Sequence, residues 1–347
     1  MKLTKYLLIA LVLSVGCSGT RTVTMNSMRP AEITFPSYVN SLLIVDRSKF
    51  EKDAINILEG VLTGELPGED KAGAQEMMNA FQTQLSYSPR FSTRIAEQRL
   101  DGNSITAAFP DQLPWVKVKQ MCDQYNSEAM VALEIFDSDF IITDGVRKVK
   151  KTVGEGENKR EVEVDEFYAE GVGNLSIGIR LYDPAAKSIV DQQLIRETNT
   201  WTAAGASKKE ALASLISKGD ATRYLGRQAG RDYAFKIAPM PIRISRTFYG
   251  KSKKAPELER GSRLADVGKW QEAADMWESG ISGSADKEAG KLAYNVAIAY
   301  EVLGEMDLAQ DWAQKAYVTY GNKDARQYSS TLKNRIRQEQ RAQDQMN

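Results

Sequence analysis

Two stretches in the C-terminal part of the chain set the strongest limit on its fold. Residues 264–280 read LADVGKWQEAADMWESG, and residues 300–316 read YEVLGEMDLAQDWAQKA. At an offset of 36 residues, Gly268 falls on Gly304, Trp270 on Met306, Ala273 on Ala309 and Gly280 on Ala316. Small residues at such positions let two helices touch, and a large side chain fills the adjoining hole. A repeated unit of this size cannot bury its apolar face alone, so neighbouring units must stack. The segment 250–347 is therefore expected to be all-helical. The polar, basic stretch KSKKAP at 251–256 marks its start. A last helix, from about Asp324 to Met346, would cap the stack. Its end, RIRQEQRAQDQ, is polar on every side and is expected to face solvent.

The repeated pattern resembles the tetratricopeptide repeat, whose period is about 34 residues. In that family the first helix of each repeat lines a concave groove that binds peptides or partner proteins. The resemblance puts Leu258, Ser262, Ala265 and Asp266 of the first repeat on the groove. From the second repeat it puts Lys291, Tyr294, Ile298, Glu301 and Val302 there. The plainer alternative is that these helices only pack on the preceding domain.

Residues 37–249 follow a different rhythm. Ser41 to Asp46, SLLIVD, is a compact apolar run and reads as a buried strand. Ala74, Met77, Met78, Phe81 and Leu85 recur at helical spacing, and Pro89 ends that helix. Phe91 to Ala96 is a second strand. Val118, Met121, Cys122 and Tyr125 repeat the helical spacing, with Cys122 as a buried small apolar group. Ala129 to Phe136 is a third strand, continuing toward Ile142. Gly145 to Glu166 is charged and reads as a solvated hairpin or mobile loop. Leu175, Ile177, Ile179 and Leu181 then alternate, and DPAAK at 183–187 turns the chain into a return strand from Ser188 to Trp201. A single long helix is expected from about Ser207 to Lys236. Its stripe of Gly219, Gly226, Gly230 and Ala234 would let helix and sheet approach closely. The order of elements predicts an α+β fold, a mixed-sheet sandwich followed by the helical segment.

The runs LLIVDRS, SEAMVALEIFDSDFIITDG and GIRLYDPAAKSIVDQQ resemble the periplasmic domain of three lipoprotein and envelope families. These are the curli-secretion lipoproteins (CsgG-like), the penicillin-binding-protein activator lipoproteins, and the N-terminal domain of TolB. The resemblance implies a CsgG/TolB-N-like domain that binds proteins or envelope components and is not an enzyme. The charged 145–166 segment lacks the long apolar alternation that a membrane-inserting hairpin of a curli-type pore would need.

The chain opens MKLTKYLLIALVLSVGCSGT. Lys2 and Lys5 precede an apolar run, Tyr6 to Leu13, of export-signal length and too short to span a bilayer. Ser14, Val15, Gly16 and Cys17 then resemble the lipobox of bacterial lipoproteins, with Ser14 where Leu is usual. The family implies cleavage between Gly16 and Cys17 and acylation of Cys17. It further implies a place in the outer membrane, because Ser18 and not Asp follows, and a face toward the periplasm, because no acidic run follows. The alternative is an ordinary export signal with a cysteine after a small residue. Residues 17–36 read as the lipidated cysteine and a flexible stalk, after a signal peptide of residues 1–16.

Composition narrows the chemistry. The 347 residues include no histidine, which removes the commonest general base and every Ser-His or Cys-His pair. Lys plus Arg and Asp plus Glu each number 46, so no net charge favours nucleic acid. No glycine motif for phosphates is present, and no cofactor is expected. Asp137, Asp139 and Asp144 are the one carboxylate group suited to a divalent cation; solvated strand-end acids are the plainer reading. The sequence thus predicts a lipid-anchored envelope adaptor, not an enzyme, that binds a protein partner through the helical groove. Membership of an export or surface-fibre assembly apparatus is the alternative, and a divalent-metal carboxylate enzyme the second.

Overall fold

The computed structural model describes residues 19–48, 56–58, 61–63, 69–100, 102, 109–154, 156 and 159–347. Cys17 and the signal segment lie outside them. The chain forms two compact units. One comprises residues 29–241 with 341–347; the other comprises residues up to 28 with 242–340.

The first unit is built on a mixed five-stranded sheet. Its strands are β2 (Ser41–Asp46), β5 (Ser92–Ile95), β6 (Ala129–Val153), β7 (Arg160–Asp183) and β8 (Ser188–Gly205). They lie in the order β5-β2-β6-β7-β8. β2 runs parallel to both neighbours, and β6, β7 and β8 form antiparallel pairs. A short antiparallel pair, β3 (Asn56–Leu58) with β4 (Val61–Thr63), stands apart. Alternation decides what each face buries. Leu42 and Ile44 pack with Val131, Leu133, Ile177 and Ile179 beneath α1 (Glu69–Leu85) and α4 (Lys218–Ile237). Leu43, Val45, Met130 and Tyr182 pack on the other face with Val118, Met121 and Cys122 of α2 (Trp115–Gln124).

The single helix expected over 207–236 is two helices, α3 (Lys208–Ser214) and α4. Leu215 takes extended backbone, and Ser207 and Ser217 each cap a helix by accepting from the N–H three residues on. A hydroxyl that satisfies an orphan N–H starts a helix well, and two such residues give two starts. The glycine stripe of α4 serves a different contact from the one expected. A Cβ on Gly230 would lie 2.3 Å from the carbonyl oxygen of Met77, and one on Gly226 2.7 Å from that of Gly73. The small residues let α4 lie against helix α1.

The charged 145–166 segment is a hairpin. β6 continues well past Ile142 and pairs with β7 out to Val153 opposite Arg160. β8 stops at Gly205 opposite Phe167. The remainder is a two-stranded arm.

In the second unit the described part of the supposed stalk contains a strand. Residues Thr20–Arg29 form β1, which pairs with β9 (Met240–Tyr249). The Gly250 N–H donates to the Gly19 carbonyl, and Thr24 meets Ser245, so the strands run antiparallel. Arg21, Val23, Met25 and Ser27 alternate inward. The run TRTVTMNSM is polar, but it has the period of a half-buried strand. The rest of the unit is helical: α5 (Pro256–Asp266), α6 (Trp270–Ser279), α7 (Asp286–Leu303), α8 (Met306–Val318) and α9 (Lys323–Met346). Gly268 and Gly304 turn each helix pair with φ of 77° and 86°, a left-handed conformation that glycine adopts without strain.

Candidate functional site

The α5/α7 face, expected as a groove open to partners, holds the chain's own strand β9. Five of the nine positions expected there are buried, Ala265 at 5% exposure among them. Leu258, Ser262 and Ile298 are wholly buried, and Glu301 is 1% exposed. Tyr294, Lys291 and Val302 are partly exposed.

The grip on β9 is mostly to its backbone. Asn295, buried on α7, accepts from the Tyr249 N–H at 2.8 Å and donates to the Tyr249 carbonyl at 2.7 Å. An amide side chain thereby satisfies both main-chain groups of one extended residue, as a neighbouring strand would. Tyr294 donates its hydroxyl to the Thr247 carbonyl at 3.1 Å. Ser262 reaches the Tyr249 carbonyl at 3.3 Å and the Leu258 carbonyl at 2.7 Å. Between these polar contacts Phe248 inserts its ring edge-on to Trp270 and tilted against Trp277, with centroids 5.8 Å away in each case. Lys291 lies 5.8 Å from the Tyr249 ring centroid and 3.7 Å from Glu288. Asp266 is paired with Arg21 of β1, and Ala265 joins the core.

Glu301 closes the grip. Arg246 of β9 lays its guanidinium fork on the carboxylate, Nε at 2.8 Å from one oxygen and Nη2 at 2.9 Å from the other. Arg335 of α9 adds a bond of 2.7 Å, and the Tyr328 hydroxyl another of 2.7 Å. A carboxylate buried without such partners would be strongly penalised; here every lone pair has a donor. Burial works against the charge on Arg335, but Glu301 and Glu339 outweigh it and hold its pKa above the ordinary value. The polar end of α9, expected to face solvent, therefore contributes a buried arginine. Burial raises the tyrosines of this face: Tyr294 is pushed up to about 12, and Tyr328 higher still with Glu301 beside it.

A second buried carboxylate lies in the sheet unit, and nothing in the sequence had singled it out. Glu134 sits at a β-bulge, where the β6–β7 register slips between Leu133 and Ile135. A bulge re-aims a side chain, and Ile135 is accommodated because Gly178 opposite has no Cβ. Glu134 accepts from Arg47 at 2.7 Å, from Tyr182 at 2.8 Å and from Arg180 at 3.3 Å. Burial pushes its pKa up despite these partners. The one available signal was a lone acid in the apolar run MVALEIF.

The three aspartates do not form a cation site. Asp137 and Asp139 share an outer face of β6, whereas Asp144 lies on the opposite face and pairs with Lys208 at 3.0 Å. Among the described residues no three Asp, Glu, Cys or His side chains come together to hold a metal ion. Cys122 is buried, and burial pushes its thiol up to about 12, which leaves little thiolate to react.

Comparison with known proteins gives families but no activity. No curated protein matches the chain. Among solved structures it is similar to the PelC dodecamer from Paraburkholderia phytofirmans, at 10% identity over 62% of this chain and 99% of that one, with a TM-score of 0.24. It is also similar to a neuraminyllactose-binding hemagglutinin homologue from Helicobacter pylori, at 13% identity over 68% and 94%, with a TM-score of 0.25. A family model described as a domain of unknown function (DUF6340) matches residues 259–335. Another, a domain of unknown function (DUF8603), matches residues 39–249, more than half of the chain. The chain belongs to the DUF8603 family.

Proposed function

We propose that the chain is a lipid-anchored adaptor of the cell envelope, acylated on Cys17 in the outer membrane and facing the periplasm, which works by holding other proteins. On this reading the sheet unit is CsgG/TolB-N-like and the helix pairs are tetratricopeptide-like. The observation that carries it is the short distance between the lipobox cysteine and the first ordered strand. Cys17 is three residues from Thr20, where β1 begins. Three residue steps reach at most about 10 Å, so acyl chains on Cys17 would keep the ribbon beside the membrane. Two or more acyl chains hold firmly where one binds marginally. The helices then have a clear task. Their α5/α7 face fixes β9, β9 pairs with β1, and β1 leads to the anchor. Partner binding falls to surfaces outside that face.

The test compares the wild-type chain with Cys17→Ser in intact envelopes. The wild type is expected in the outer-membrane fraction, with an intact mass carrying the acyl groups and a set of crosslinked partners. The serine variant should be soluble and lose those partners. A wild-type chain without acyl mass would overturn the anchor, and partners unchanged in the variant would overturn the link between anchor and function.

One observation favours the second reading, a component of an export or surface-fibre assembly apparatus. It is the β6–β7 arm, which extends past the end of β8. Such an arm offers two strand edges to an assembly.

A further inference from the structure

The arm is charge-segregated by strand. From Val146 to Val153 its β6 side carries Arg147, Lys148, Lys150 and Lys151 and no acid. Opposite it, from Arg160 to Phe167, its β7 side carries Glu161, Glu163, Asp165 and Glu166, with Arg160 at the outer end its one base. Part of this charge is used within the arm. Arg147 and Lys151 meet Glu166 at 2.9 and 3.4 Å, and Lys150 meets Glu161 at 3.8 Å. Among the described residues Lys148, Glu163 and Asp165 are exposed and make no ion pair, although Lys148 stands opposite Asp165 in the register. These three side chains share one face of the arm, the cation on one strand and the two anions on the other.

Among the described residues neither outer edge of the arm has a strand partner. Among the described residues β8 pairs with β7 only from Phe167 onward, and β2 pairs with β6 only as far as Leu133. An unpaired edge invites another strand, and charged side chains are the usual guard against it. The guard here is selective. Two β6 edges brought together would set lysines against lysines, and two β7 edges would set acids against acids. A β6 edge beside a β7 edge sets Lys148 and Lys150 against Glu163 and Asp165, and opposite charges on neighbouring strands attract.

We propose that the arm is a self-assembly element, in which the basic β6 edge of one copy pairs with the acidic β7 edge of a second copy. Such a contact is head-to-tail. It repeats from copy to copy, closing as a ring if the rotation allows and otherwise continuing as a filament. The inference uses only the arm and stands apart from the adaptor reading.

The test uses the full chain in detergent, with mass read by sedimentation. The wild type is expected at two or more times the monomer mass at low salt, shrinking as salt screens the contact. Two variants carry the argument, Lys148→Glu with Lys150→Glu, and Glu163→Lys with Asp165→Lys. The first has two acidic edges and the second two basic ones, so each alone should be monomeric. Mixed in equal amounts they should regain the wild-type mass, each edge finding its complement in the other variant. Circular dichroism shows whether each variant folds. A monomeric wild type overturns the proposal without reference to the variants. So do variants that assemble alone as the wild type does, or folded variants that stay monomeric when mixed.

Discussion

Glu134 and Glu301 are the same chemical device in two settings. Each is a buried glutamate held by two arginines and a tyrosine hydroxyl. Around Glu134 the sheet already fixes the backbone. Arg180 is on β7, opposite Ala132 of β6, and main-chain bonds join β2, β6 and β7 whether or not the ion pairs form. Around Glu301 there is no such ladder. Arg246 comes from β9, Glu301 from α7, and Arg335 and Tyr328 from α9. There the side chains, together with Asn295 and Tyr294, are the polar connection between strand and helices. A buried ion cluster adds little where a sheet supplies the alignment, and more where side chains must supply it.

The largest expected effect follows from that contrast. Glu301→Ala leaves the buried Arg335 and the partly buried Arg246 without that carboxylate, and removing one partner of a buried pair costs about 3–5 kcal/mol. Urea unfolding should show a loss of that order. An unchanged midpoint would mean that the cluster contributes nothing net to the hold on β9.

Alkaline titration comes next. The Tyr294 hydroxyl has an ordinary pKa of 10.0 and is raised to about 12 in the fold. Between those values the unfolded chain gives up the proton and the folded chain keeps it. Stability is fully present below pH 10 and falls as pH rises toward 12. A shift of this size corresponds to ~2–3 kcal/mol. Tyr294→Phe should flatten that part of the stability–pH curve.

Asn295→Ala leaves the N–H of Tyr249 without its partner and the carbonyl with only the longer bond from Ser262. Stranding such buried groups costs about 1–3 kcal/mol. Faster amide exchange at Tyr249 would accompany the loss, and exchange at Leu133 in the sheet unit would not change. The smallest effect is expected from Glu134→Gln. Burial raises the pKa of that carboxyl, the amide keeps its shape and one acceptor oxygen, and the sheet still fixes the backbone. A cost of about 1 kcal/mol, the worth of an ordinary hydrogen bond, is expected in the same urea assay. A cost matching that of Glu301→Ala would erase the difference between the two settings.

The α+β organisation was legible because burial follows period. SLLIVD and the alternation from Leu175 to Leu181 are core strands, and Ala74 to Leu85 is the buried stripe of α1. The 36-residue offset placed both turn glycines. What was hidden depends on partners distant in sequence. TRTVTMNSM is a strand only because β9, more than 200 residues later, lies beside it. Glu301 has the spacing of a groove residue, and only the arrival of Arg246 and Arg335 makes it a buried one. The break between α3 and α4 was written in local chemistry, in Ser207 and Ser217. The Glu134 bulge adds one residue to β6 and has no period to betray it.

The α5/α7 face is occupied by the chain's own β9. Hydrogen–deuterium exchange of the full chain measures this directly. The account predicts that amides of residues 242–249 are protected to the same extent as those of α7, and lose protection together when Asn295 or Glu301 is replaced. Rapid exchange of 242–249 in the wild type, with α7 still protected, would contradict it and return the face to outside partners.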